Sequence, residues 1–112
     1  MNTKKFNEIV EGCKAHISSV LAYKAEEYAR GDRLSNFKSA GRRLDCTPER
    51  ALIFFREKHE VSILDIVNDI DKGDLPEHNL LSEKIGDSIN YLILLKALIT
   101  ERLEIAGNIP HP

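Results

Sequence analysis

A chain of 112 residues is long enough for one domain around a single core, spanning residues 1–112, and short for an enzyme that encloses a substrate unaided. A formal net charge of −2 argues against general affinity for nucleic acid or anionic lipid, and no apolar stretch is long enough to span a bilayer. The opening residues, MNTKKFNEIVEGCK, are amphipathic and lack the apolar centre of a signal peptide, so a soluble, cytoplasmic protein is expected.

Four helices and no strands are expected, because apolar residues recur at helical spacing and nowhere alternate for long. The first runs from about Thr3 to Ala29, with Phe6, Val10, Cys13, Ile17, Val20, Leu21 and Tyr28 on one stripe. Lys24 shares that stripe, where an amine needs an anionic partner or a path to water. Gly31-Asp32 breaks the helix. Ser35 is placed as the N-cap of a short helix reaching Leu44, with Gly41 a weak point inside it. Thr47-Pro48-Glu49 combines a capping hydroxyl, a proline at the first helical position and an acid in the first turn. The third helix should therefore begin there, reach Asp71 or Lys72 and stop at Gly73. The fourth is expected from about Leu80 to Ala106, closed by Gly107. The predicted class is all-α: an antiparallel bundle of three long helices and one short. "YLILLKALI", Tyr91 to Ile99, is apolar nearly all round, which a homodimer would bury better than a monomer. Cys13 and Cys46 are too few and too unpatterned for a disulfide framework or a zinc site, so both are expected to be free thiols.

Helices three and four share an anomaly. In helix three the core stripe reads Leu52, Phe55, His59, Ile63, Ile66, Ile70, and a second face reads Ile53, Glu57, Glu60, Leu64. In helix four the core stripe reads Leu81, Ile85, Ile89, Leu92, Ile99, Leu103, and the second face reads Glu83, Asp87, Asn90, Leu94, Leu98. If the second faces meet, Glu57, Glu60, Glu83 and Asp87 converge in a partly apolar wall. Such a group stays ionised only with a cation, and Mg²⁺, which takes oxygen ligands, suits it. The competing reading is a set of ordinary solvated acids.

Charge is segregated along the chain. Arg30 to Arg43 holds five basic residues and one acid, whereas Glu57 to Asp87 holds nine acids and three lysines. Carboxylates for an ion and Arg or Lys for phosphate oxygens are what a metal–nucleotide complex requires. His59 is read as a hydrogen-bonded core histidine, a nucleotide contact or a general base.

Glu57-Lys58-His59-Glu60, twenty-two residues, then Glu83-Lys84-Ile85-Gly86-Asp87 resembles the paired acidic motifs, ExxE and ExxD, of the MazG-like all-α nucleoside triphosphate pyrophosphatases. "KAEEYARGDRLSNF" and "EKIGDSINYLILL" look like segments of small phage-encoded relatives of that group, and the resemblance spans roughly Lys24 to Leu103. It implies a dimeric or larger helical protein in a bacterial or phage-infected cell that cleaves a (d)NTP or modified nucleotide to the monophosphate and pyrophosphate. Glu57, Glu60 and Asp87 would be the catalytic acids, holding Mg²⁺ together with Glu83. Lys84 stands where the family's second pair has an acid, and Glu83 would substitute through i, i+4 geometry. Lys24, Arg33, Lys38, Arg42 and Lys84 would hold phosphates, and Asn90 and Tyr91 the base or sugar. Two alternatives stand beside the hydrolase: a nucleotide-binding protein without chemistry, which Lys84 favours, and a helical dimeric interaction module.

Overall fold

The computed structural model describes residues 1–27 and 31–107, with side chains of the first segment described through residue 21. Four helices follow in order: α1 (Thr3–Glu27), α2 (Ser35–Leu44), α3 (Pro48–Asp71) and α4 (His78–Ile105). No strand occurs among the described residues, so the class is all-α.

Local chemistry sets most of the boundaries. Thr47 caps α3 as its sequence spells, its Oγ1 accepting the Arg50 N–H at 3.1 Å with Pro48 leading the helix. Gly73 ends that helix with φ +90°, a conformation that costs a glycine little. The start of α2 differs from expectation. Ser35 is the first helical residue and not the cap: the Asp32 carboxylate accepts the Leu34 N–H at 2.9 Å, and the Asp32 carbonyl accepts the Ser35 N–H at 3.0 Å. Leu34 occupies the N-cap position and no side chain caps the helix; the aspartate instead fixes the turn that leads into it. Helix α4 begins two residues earlier than expected, at His78.

Gly41 lies inside α2 because only a hydrogen fits there. A Cβ at this position would stand 2.8 Å from the Cys46 carbonyl oxygen and 3.0 Å from the Pro48 nitrogen. The turn from α2 to α3 doubles back tightly, with Asp45 in the left-handed region at φ 54° and the Cys46 N–H donating to the Gly41 carbonyl at 2.9 Å. The close approach outweighs the helix penalty of glycine.

Helices α3 and α4 run antiparallel: Glu49 meets Arg102 at one end, and His59 and Glu60 meet Asp87 and Ser88 nearer the other. Helix α2 packs against α3 and α1 against α4. The core is small, centred on Leu34, Phe37, Leu52 and Leu98, with Leu52 wholly enclosed. Gly86 lets α1 approach α4, since a Cβ there would collide with the His16 ring.

Of the two faces of α4, the one that begins with acids is the more deeply enclosed along its C-terminal part. Asn90 and Leu98, on the face that begins with acids, are buried, and Asp87 and Leu94 are half-buried. Of the residues read as the core stripe, Ile85 and Ile89 are half-buried, whereas Leu81, Leu92, Ile99 and Leu103 are exposed. In α3, Leu52 and Ile66 are buried as expected, while Phe55 and Ile70 are exposed. The N-terminal half of α1, including Phe6 and Val10, is also exposed. Cys13 and Cys46 are free thiols. Among the described residues no helix is long and apolar enough to cross a membrane.

Candidate functional site

The four helices border an open cavity of about 530 Å³, within the range of small-ligand sites. Helix α1 contributes Val20 and Leu21, and the segment leading into and through α2 contributes Arg33, Asn36, Phe37, Ala40 and Arg43. Phe55 and His59 come from α3, and Asp87, Asn90, Tyr91 and Leu94 from α4. The spacing explains the selection. Asn36, Ala40 and Arg43 fall at i, i+4 and i+7 of α2, and Asp87, Asn90 and Leu94 at i, i+3 and i+7 of α4, each set on one helical face.

Aromatic rings line one part of this space. Phe37 lies 6.4 Å from Tyr91, edge to face at 70°, and 6.3 Å from Phe55; the His59 ring lies 5.0 Å from Tyr91. Such contacts hold the rings in fixed orientations. Cations line another part: Arg33 is anchored by an N–H donated to the Leu21 carbonyl at 3.3 Å, and Arg43 stands in the last turn of α2. Asp87 and His59 face each other across the α3–α4 seam, with Oδ2 3.9 Å from Nδ1.

The acids singled out by sequence are dispersed. Asp87 lines the cavity, whereas Glu57 and Glu83 are exposed on their helices. Glu60 is bound on the α3–α4 seam, where Arg56 lies 2.6 Å from its carboxylate and the Ser88 hydroxyl 3.3 Å away. The Arg56 guanidinium also donates to Ser88 at 3.3 Å. Among the described residues no three His, Cys, Asp or Glu side chains are grouped to hold a metal ion.

The basic residues divide in a similar way. Arg33 reaches the cavity, but Lys38 and Arg42 lie on the opposite side of α2, beside a smaller space of about 300 Å³ that includes Cys46, Glu101 and Arg102. Lys38 pairs with both Asp32 and Glu101. Lys84 is half-buried and away from the cavity lining, and the side chain of Lys24 lies outside the described residues. Asn90 and Tyr91 line the cavity. Sequence reasoning passed over Arg43, Asn36, Phe37 and Phe55 as ligand contacts. The signal for three of these was the helical spacing of 36, 40 and 43 with Phe37 beside it, read instead as one undivided basic segment.

The pairs around α2 tie the cavity wall to the bundle and make it sensitive to acid. Lys38, aided by the Leu34 N–H, holds the Asp32 carboxyl below its ordinary value, and Arg102 does the same for Glu49, whose carboxylate takes a guanidinium N–H at 2.9 Å. Both folded-state values lie below the unfolded ones, so this stabilisation is present above the ordinary carboxylate range and is lost as pH falls through the lowered values. Lys38 is shifted upward by Asp32 and then Glu101, so its share is present below the ordinary lysine value and lost as pH climbs past the raised one. The melting temperature should therefore fall below about pH 4. Glu49→Gln should lower it at neutral pH and make the acid fall shallower; an acid limb unchanged in depth would remove Glu49 from this account.

Compared with family models, curated proteins and solved structures, the chain matches none.

Proposed function

We propose that the protein binds a nucleotide in the four-helix cavity and that it works as a homodimer of MazG-like bundles. The observation that carries the binding reading is the combination, around one cavity, of the rings of Phe37, Phe55 and Tyr91 with Arg33 and Arg43. A planar heterocycle packs on rings, and arginine recognises phosphate oxygens in a two-pronged geometry. Melting curves with a panel of nucleoside mono-, di- and triphosphates test it. A ligand of the native state raises the melting temperature, and no shift with any of them contradicts the reading and leaves the helical interaction module.

Dimerisation is supported by surface. The chain exposes 8446 Å², against about 6,200 Å² for a compact monomer of its 12.7 kDa. Its radius of gyration is 16.8 Å, where about 13 Å is usual for this length. The excess, on the order of 2,000 Å², exceeds the roughly 800 Å² per partner of a stable interface. The stripe of Leu81, Leu92, Ile99 and Leu103 on α4 supplies the apolar contact that a second copy would cover. Sedimentation equilibrium should give twice 12.7 kDa. Leu92→Glu combined with Ile99→Glu should give the monomer mass; a wild-type monomer at micromolar concentration contradicts the dimer.

A second reading, Mg²⁺-dependent pyrophosphohydrolysis of a (d)NTP or modified nucleotide, is favoured by Asp87, an acid of the resembled motif that stands on the cavity wall. Monophosphate and pyrophosphate, formed only with Mg²⁺ and lost in Asp87→Ala, would establish it. Intact nucleotide recovered from a bound sample would leave the binding protein.

A further inference from the structure

Two polar side chains are buried among the described residues, Ser88 and Asn90, and they differ in one respect. The Ser88 hydroxyl is held between Arg56 and Glu60, whereas Asn90, only 6% exposed, has a carboxamide oxygen with no hydrogen-bond partner among the described residues. A buried acceptor without a donor is unfavourable, and few such groups persist in folded proteins without a reason. Asn90 also lines the cavity, although its oxygen is itself shielded, and its terminal torsion is broad and roughly two-fold, so rotation of the amide brings the oxygen toward that space at little cost.

The cavity wall is also divided by charge. Its cations, Arg33 and Arg43, come from the segment leading into and through α2, and its hydrogen-bond acceptors on α4 are Asp87 and Asn90, one helical turn apart. A ligand that satisfies both walls is anionic at one end and carries N–H groups at the other.

Resting on the nucleotide-binding reading, we propose that Asn90 determines specificity: its carboxamide oxygen accepts an N–H from the Watson–Crick edge of the base while the phosphates lie toward Arg33 and Arg43. The amide group matches a base edge because both place a donor beside an acceptor. Asp87, on the same face, accepts a second donor from base or sugar. Phe37 and Tyr91 keep the base in plane, so loss of one N–H is not relieved by tilting. Nucleotides whose base-edge nitrogen is methylated are discriminated against, because the methyl removes the donor and leaves the Asn90 oxygen unpaired again.

The test is calorimetric titration of the full chain with ATP, CTP, GTP and UTP, each paired with an analogue whose edge N–H donors are all methylated: N6,N6-dimethyl-ATP, N4,N4-dimethyl-CTP, N1,N2,N2-trimethyl-GTP and N3-methyl-UTP. For the nucleotide bound best, methylation should weaken binding by about tenfold or more in the wild type. In Asn90→Leu, similar in size and without the acceptor, the parent nucleotide should already be weakened and methylation should cost little more. Equal affinity for parent and methylated ligands in the wild type overturns the role of Asn90 while leaving nucleotide binding intact. A methylation penalty that persists undiminished in Asn90→Leu does the same. Absence of binding by every nucleotide overturns both. The ligand-side comparison in the wild type remains decisive if Asn90→Leu fails to fold.

Discussion

Replacing Gly41 by valine should lower the stability of the fold by about 3 kcal/mol, read as a shift in the urea midpoint at unchanged slope. Valine is a better helix former than glycine, but by only about half a kcal/mol, and the space it would enter is bounded by backbone. A Cβ would stand 2.8 Å from the Cys46 carbonyl and 3.0 Å from the Pro48 nitrogen, atoms that move only if the start of α3 moves. That shift would separate α2 from α3 around Ala51 and Leu52, both fully buried. On a total of about 5–15 kcal/mol such a loss is large. Because α2 also carries Asn36, Phe37, Ala40 and Arg43, the same variant should lose ligand binding before it unfolds. Wild-type stability in Gly41→Val would show that the α2–α3 turn is more yielding than its geometry indicates.

The largest effect on binding is expected from replacing Arg33 and Arg43 together by glutamine. Hydrogen bonds from a guanidinium to a charged acceptor contribute about 1.5–3 kcal/mol each, so losing both should weaken nucleotide binding by about a hundredfold or more. Stability should change little by comparison. Arg43 is exposed, and glutamine at position 33 keeps a donor that can approach the Leu21 carbonyl, which Arg33 now satisfies. Lys38→Gln and Arg42→Gln form the natural contrast. These side chains lie on the other side of α2, so the first should affect stability through Asp32 and Glu101, and neither should alter affinity strongly. A reversed ranking, with Lys38 and Arg42 controlling affinity, would place the phosphates on the wrong side of α2.

These contrasts also show how far the sequence leads. The start of α3 was legible because Thr47 and Pro48 act through their own backbone, and nothing distant competes with them. The start of α2 was less so, since the N-cap is Leu34, which offers no capping oxygen, and Asp32 fixes the preceding turn instead. Both faces of α4 were legible as stripes, but not which of them one chain buries more deeply. Periodicity reports which residues share a face, while the location of α1, α2 and α3 around α4 depends on long-range packing. Asp87, Asn90, Leu94 and Leu98 face inward because the cavity and the small core lie on that side, and Leu92, Ile99 and Leu103 remain on the surface where a second copy would cover them.

The candidate site was legible in part for the same reason. Arg33, Asp87, Asn90 and Tyr91 were singled out and stand together around one cavity. Glu57, Glu60 and Glu83 share a motif spacing with Asp87 but not its environment, because neighbouring residues on a helix face diverge once one of them is claimed by a partner. Arg56 and Ser88 claim Glu60 in this way. Phe55 joined the site unannounced, since a residue on a core stripe gives no sign that its ring borders a cavity instead of filling one.

The central claim is that the cavity takes a nucleotide, and direct titration of the purified chain with nucleoside triphosphates, in the absence and presence of Mg²⁺, tests it most directly. Saturable heat with one site per chain, weakened about a hundredfold in the Arg33→Gln, Arg43→Gln double variant, is the result predicted. No heat with any nucleotide under either condition, from protein shown to be folded by its melting transition, would contradict it.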